Sequence, residues 1–235
     1  IQNGGAGAGN LAYTGSGIMG SALAMDKDIS KKLFVQNGIP TAKWIASSPQ
    51  AFDPARVAEE IGFPCVVKPA DQGSTIGPSV VRDAAGLLPA AETAGRYTEK
   101  IMAEAFIPGA ELTVPVLDGK PLPAIEIRPS HDIYDYECKY TSGMSQYLIP
   151  APVTEECRAS IAHYAVEVYN ILCLRDFARV DFRLDAGGLP LCFEANTLPG
   201  MTGTSLVPKS ARAAGIEFPE LVSIIAETAY RRTHP

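Results

Sequence analysis

RVDFRLDAGGLPLCFEANTLPGMT, residues 179–202, reads as two strands joined by a tight turn. Val180, Phe182 and Leu184 alternate with polar residues, and so do Leu191, Phe193 and Ala195. A period of two marks strands with one buried face. AGGL at 186–189 supplies the turn, because Gly tolerates the positive φ that tight turns need. Pairing the strands around it sets Asp181 opposite Glu194 and Arg179 opposite Asn196. These four share one face and the six apolar residues share the other. Two carboxylates opposed across strands repel, so positive charge belongs between them. Two readings follow. In one, the carboxylates and the amide oxygen hold a hard, oxygen-loving ion such as Mg²⁺. In the other, Arg179 and Arg183 neutralise the acids on a solvated sheet face. The hairpin alone leaves both open.

The chain has 235 residues, enough for one large domain or two small lobes with a real core. Apolar residues make up 46% and charged residues 20%, an ordinary globular balance. No apolar run reaches the roughly 18 residues of a membrane span, and no basic and apolar signal segment opens the sequence. A net charge of −6 argues against a general nucleic-acid or anionic-membrane surface. An anionic ligand therefore needs a local cluster of Lys and Arg. Cys65, Cys138, Cys157, Cys173 and Cys192 are scattered and never spaced C-x-x-C. That pattern predicts reduced thiols in a cytoplasmic protein and argues against a disulfide scaffold or a zinc site. His131, His163 and His234 lie far apart, which disfavours a histidine metal site or a Ser-His-Asp triad.

Along the chain, NGGAGAGN (3–10) reads as a flexible linker. Helices are predicted over 18–26 and 28–37, with Asp28 as N-cap and Gly38 then Pro40 as stops. Further helices are expected at 55–61, 83–94, 155–174 and 218–231. Strands are expected at 65–69, 100–105, 111–117 and 121–128, the last two joined by a DG turn. Residues 129–147 read as a polar loop with tyrosines, too long for a turn: either of the kind that covers active sites or a disordered surface insert, the aromatic content favouring the first. Hairpins beside helices predict an α+β fold rather than a doubly wound parallel sheet.

Several segments carry candidate chemistry, each with a plainer alternative. DQGSTIG (71–77) follows a strand ending near Lys68 and can present backbone N–H groups to phosphate, although it lacks the Walker G-K-[ST]. By itself it is an ordinary surface loop. Lys27, Lys68 and Lys139 lie at or beside element ends, where Lys serves as a point-charge partner of phosphate. Singly, each is a surface lysine. EAFIPGAEL (104–112) offers an apolar stretch, Phe106, Ile107 and Pro108, between Glu104 and Glu111. It fits an adenosine with an acid on the ribose, or simply a strand, a turn and a strand.

Taken together, YTGSG (13–17), SALAMDK (21–27), VVKP…GSTIG (66–77), ELTV (111–114), YDYECKY (134–140), RVDFRLD (179–185), EANTLPGMT (194–202) and SLVP (205–208) resemble the D-alanine–D-alanine ligases, members of the ATP-grasp superfamily. The resemblance spans nearly all of residues 13–235. It implies an ATP-grasp fold with two lobes, residues 18–103 and 104–235, clasping a nucleotide, the lid running over 129–147. It implies ATP-dependent phosphorylation of one D-alanine to an acylphosphate. Attack by the amine of a second D-alanine then gives the dipeptide used in bacterial peptidoglycan. By the same resemblance, Lys27 and Lys68 contact ATP phosphates, and Glu104, Phe106, Ile107 and Glu111 hold adenine and ribose. Lys139 reaches the phosphates from the lid, and Tyr140 closes that lid against Ser74. Asp181, Glu194 and Asn196 bind two Mg²⁺, with Mn²⁺ as a substitute. Arg179 stabilises the oxyanion of the tetrahedral intermediate, and Gly200, Ser205 and Leu206 position the second D-alanine. The Lys139–Tyr140 pair favours an amine nucleophile over D-lactate. Gln72 in place of a frequent Glu, Pro78 after Gly77, and Cys138 in place of a frequent Ala are departures that remove no proposed ligand.

The family also has an N-terminal α/β domain with an HGxxGEDG-like segment whose Glu binds the first D-alanine. No such segment occurs here. Ile1 and Gln2 resemble the end of its last helix, and residues 3–10 stand where that helix continues. The expectation is a shortened chain that keeps the ATP and Mg²⁺ sites but has an incomplete first substrate site. The family's homodimer contacts are then in doubt, and a non-catalytic nucleotide-binding module or a D-alanine–D-lactate-type ligase is the alternative.

Overall fold

The computed structural model describes residues 12–73, 77–129 and 145–233. Two antiparallel sheets organise them. The smaller has the order β1-β4-β2-β3, built from Trp44–Ser47 (β1), Cys65–Pro69 (β2), Ser79–Val81 (β3) and Ile101–Ala105 (β4). The larger runs β10-β9-β5-β7-β8, from Glu111–Leu117 (β5), Ile125–Pro129 (β7), Ser145–Leu148 (β8), Phe177–Leu184 (β9) and Pro190–Asn196 (β10), with the short β6 (Lys120–Pro121) paired to β5. Hairpins and antiparallel sheets with helices packed on them make this an α+β fold, as the sequence patterning predicts.

Each sheet has its own core. Helices α3 (Pro54–Glu60) and α4 (Leu87–Gly95) cover the smaller sheet, where Val57, Leu87, Ala90 and Ala94 meet Cys65, Val67 and Ile101. Asp53 caps α3 by accepting from the N–H groups of Ala55 and Arg56. Helix α5 (Glu155–Ile171) lies on the larger sheet, its Ile161, Ala165 and Val168 packed on Leu112, Val114, Val180 and Phe182. Thr154 caps it through the Cys157 N–H. The first two helices, α1 (Ile18–Met25) and α2 (Lys27–Gln36), precede the smaller sheet in the chain but bury Ala24 and Phe34 in the core of the larger one. Helices α6 (Leu206–Ala213) and α7 (Phe218–Thr233) close a third cluster, Val207, Ala211, Leu221 and Ile225, against Leu117 and Phe177.

The differences from the sequence reading have local causes. The N-cap of α2 is Asp26, which accepts from the Ile29 N–H at 3.1 Å. Asp28 is buried instead, bonded by Trp44 Nε1 at 2.9 Å and paired with Lys32 and Lys100. The expected strand 121–128 is two strands, β6 and β7, interrupted by Leu122–Ala124 after the turn at Asp118 (φ 48°) and Gly119 (φ 73°). Helix α5 stops at Ile171, because Cys173 and Asp176 take positive φ (54° and 59°). The strands β1, β3 and β8 are too short, at three or four residues, for periodicity to mark them, and the eight-residue helix α6 lies in a stretch read as a loop. The Gly-rich segment 3–10 and residues 130–144 of the expected lid lie outside the described residues.

The hairpin of β9 and β10 departs from its predicted register partway along β10. Glu194 is paired with Asp181 and Asn196 with Arg179, as predicted. The register then slips between Cys192 and Glu194, so that Cys192 faces Phe182 and Leu191 faces Arg183. A β-bulge places one extra residue in a strand and turns the side chains beyond it. Here the extra residue is Phe193. Cys192 therefore joins Val180, Phe182 and Ala195 in the core, while Leu191 and Phe193, expected there, line the cleft beside Asp181.

Candidate functional site

One cleft gathers most of the sequence candidates. Lys27, Lys68, Glu104, Phe106, Ile107, Glu111, Arg179, Asp181 and Glu194 line one cleft that is open to solvent. Strands of both sheets contribute. Glu104 stands near the end of the smaller sheet's β4, Arg179 and Asp181 stand on β9 and Glu194 on β10 of the larger, and residues 106–110 connect the two.

Asp181 is 4% exposed and is held by a network. The Arg179 guanidinium forks onto it, with Nε at 2.8 Å and Nη2 at 2.7 Å. Thr113, opposite it on β5, donates its hydroxyl at 2.5 Å, and Asn196 Nδ2 donates at 3.2 Å. Arg179 thus neutralises Asp181 as one reading of the hairpin expects, but on a buried carboxylate rather than on a solvated face. Arg183 does something else, donating to Glu111 at 2.7 Å and to the Ile107 carbonyl at 3.0 Å while lying over the Phe106 ring. It therefore fixes the connection between the sheets.

Glu194 is approached by Lys27 Nζ at 3.7 Å, and the same ammonium donates to the Gln72 carbonyl at 2.7 Å. Lys27 is the first residue of α2, and its own N–H donates to the Ala70 carbonyl. The helix start is thereby tied to the mouth of the loop that follows β2. Gly77, at the far end of that loop, has φ +74°, and a Cβ there would stand 2.8 Å from the Tyr97 ring, so only glycine fits.

Glu104 is the second charged centre. Its Oε1 accepts from Lys31 at 2.6 Å and its Oε2 from Lys68 at 2.5 Å. Burial pushes the Glu104 carboxyl up, but the two ammonium groups outweigh it and bring the pKa down to about 2. Burial likewise pulls the Lys31 ammonium below its ordinary range, opposed by Glu104. Lys31 was not a sequence candidate. Its spacing of four from Lys27, which puts both on one helix face, was the available signal.

Gly200, Ser205 and Leu206 lie beyond the hairpin. The Ser205 hydroxyl accepts from the Thr202 N–H at 3.0 Å, and a Cβ on Gly200 would sit 2.7 Å from it. Ser205 is the N-cap position of α6 without a side-chain cap bond. Leu206 is 7% exposed and packed with Ile125 and Ile127, so only its backbone is free to meet a ligand. Ser74, Lys139 and Tyr140 lie outside the described residues.

Among the described residues no group of three His, Cys, Asp or Glu is assembled for a metal. Two carboxylates and an amide fit a hard ion completed by substrate phosphates, which is how Mg²⁺ is commonly held. Both Asp181 oxygens are engaged by the Arg179 fork, so an ion there would share or replace that pairing.

Residues 33–227 match the family model described as "D-ala D-ala ligase C-terminus". A relative from Anaeromyxobacter sp. (strain Fw109-5), named D-alanine–D-alanine ligase, is 43% identical over 225 residues, covering 93% of this chain and 71% of that protein. One of the same name from Nitrosospira multiformis is 45% identical over 221 residues, covering 94% and 72%. Among solved structures, the D-alanine–D-alanine ligase from Bacillus anthracis complexed with ATP superimposes with a TM-score of 0.83 at 35% identity, over 95% of this chain and 72% of that one.

Proposed function

Because this chain belongs to the D-alanine–D-alanine ligase family, we propose that its cleft binds ATP and joins two D-alanines through an acylphosphate, in service of peptidoglycan synthesis. The fold is the ATP-grasp fold of those ligases. The observation that carries the proposal is the single cleft in which cations, carboxylates and an apolar slot sit side by side. The two sheets with their helices are its two lobes, with residues 106–110 between them.

In this reading, Phe106, Ile107, Leu191 and Phe193 enclose the base, with Glu104 at its edge and Glu111 on the ribose. Lys27 and Lys68 meet the phosphates, helped by the glycine loop. A terminal phosphoryl group passes from ATP to a carboxylate oxygen of the first D-alanine. The P–O bond to ADP breaks as the new P–O bond forms. Positioning and charge neutralisation are what this step needs. Asp181, Glu194 and Asn196 would hold Mg²⁺, which supplies neutralisation of the phosphoryl oxygens. The second amine, having lost a proton, then attacks the acyl carbon. Inorganic phosphate leaves and the peptide bond remains. Arg179 meets the negative charge that develops on the carbonyl oxygen, in a site that limits water. Ser205 and the backbone of Leu206 at the start of α6 orient the second D-alanine, with Gly200 leaving room for Ser205. Ser74, Lys139 and Tyr140 belong to the same proposal, as closure of the phosphate end.

The test is phosphate release from Mg·ATP with and without D-alanine, beside calorimetric titration of a non-hydrolysable ATP analogue. D-alanine-dependent release with dipeptide formed supports the ligase reading for this chain. Analogue binding without release reduces it to a nucleotide-binding module. Absence of binding overturns it.

A further inference from the structure

The geometry points to Lys31 as a positioning residue for nucleotide selection: it locks Glu104 in place, so that Lys68 can move from Glu104 to a phosphate and the vacated carboxylate oxygen can accept an exocyclic amine of the base. This inference rests on the nucleotide reading above and adds to it a residue and a selectivity.

Lys31 is fully buried. Its ammonium donates to Glu104 Oε1 at 2.6 Å and to Thr41 Oγ1 at 2.5 Å, and it lies 5.2 Å from the centre of the Trp44 ring. Thr41 passes the connection on, donating to the Cys192 carbonyl at 2.6 Å. Lys31 thus straps α2, β4 of the smaller sheet and β10 of the larger at one point. It does not line the cleft, whereas Glu104 and Lys68 do. The two ammonium groups on Glu104 therefore differ in kind. One is sealed in with no alternative partner in solvent. The other has a side chain 16% exposed and faces the space where phosphate would lie.

The asymmetry has a chemical consequence. A buried carboxylate stripped of its partner is costly, so Glu104 cannot release Lys68 unless another cation stays. Lys31 is that cation. When a phosphate draws Lys68 away, Glu104 stays ionised on Lys31, and Oε2 is left without a donor. Glu104 is the penultimate residue of β4, two positions before Phe106 and three before Ile107, at the edge of the proposed base slot. A carboxylate only accepts. It is satisfied by the exocyclic amine of adenine and not by the carbonyl at the same position of hypoxanthine. Sites built around such a bond reject the analogue that leaves the buried group unpaired.

The experiment is titration calorimetry of Mg·ATP and Mg·ITP, without D-alanine, on the wild-type chain, Lys31→Met and Thr41→Val. Circular dichroism establishes that each variant folds. The wild type is expected to prefer ATP by tenfold or more. Lys31→Met should reduce the preference to threefold or less by weakening ATP, and Thr41→Val, which loosens Lys31 without removing it, should reduce it by half or more. If Lys31→Met fails to fold, Thr41→Val decides alone. Folded variants that keep the wild-type ratio overturn the inference. A wild type that binds both nucleotides equally also overturns it while leaving the nucleotide reading intact. A wild type that binds neither removes the nucleotide reading and this inference together.

Discussion

Glu104 is the residue on which charge and burial meet most sharply. Its carboxyl is held at about 2 against an ordinary 4.5. A group with a depressed folded pKa adds stability above its unfolded value, and that contribution fades as pH falls toward the folded value. Its share should therefore be full above about pH 4.5 and shrink between there and about pH 2. Glu104→Gln leaves the Lys31 ammonium buried without a counter-charge, at a cost of about 3–5 kcal/mol near neutral pH. Urea unfolding of both proteins at pH 6.5 and pH 3 checks this, and the gap between them should narrow at the lower pH. Gly200 makes a second prediction. Alanine there would push the Ser205 hydroxyl off the Thr202 N–H, since a Cβ would stand 2.7 Å from that oxygen. Gly200→Ala should raise KM for D-alanine severalfold and leave the Kd of an ATP analogue unchanged, as steady-state kinetics and calorimetry would read.

At the scale of elements, the β10 bulge matters most. It turns Phe193 out of the core and over the cleft, where its ring lies 5.9 Å from Lys68 Nζ. Phe193→Ala should therefore weaken binding of an ATP analogue by about tenfold, roughly 1.4 kcal/mol. It should lower stability by less than the 3–5 kcal/mol that removing a core Phe typically costs. Unfolding and titration of one variant separate these, and equal loss of both would return Phe193 to the core. The start of α2 is the second element with a stated role. Asp26 caps it and also pairs with Lys100 at 2.9 Å, and the next residue is Lys27. Asp26→Ala should cost about 1 kcal/mol of stability, the usual value of a cap.

Across the whole molecule, the segment before α1 is clasped to the last helix. Asp176, 2% exposed, accepts from the Gly15 N–H at 2.6 Å and pairs with Arg232, whose other nitrogen donates to the Tyr13 carbonyl at 2.6 Å. The clasp lies outside the cleft. Arg232→Ala should lower the thermal midpoint by several degrees, consistent with a loss of about 2 kcal/mol in a domain of this size. The affinity for nucleotide should not change. A fall in affinity equal to the fall in stability would show that the clasp also shapes the cleft.

The amino-acid order by itself determined the α+β class, the pairing of Asp181 with Glu194 and of Arg179 with Asn196, and most candidate residues of the cleft. The hairpin was legible because period-two alternation and a Gly-Gly turn are local signals, and the candidates were legible because the motifs resemble those of one family. Tertiary structure decided the rest. The bulge at Phe193 follows from which residues the core accepts, not from the strand's own pattern. Lys31 reads as one more helical lysine until Glu104, seventy-three positions away, lies 2.6 Å from it. Leu206 reads as a whole-residue candidate until Ile125 and Ile127 bury its side chain and leave only its backbone to face a ligand. Long-range pairing sets which charge meets which, and no window of sequence contains both partners.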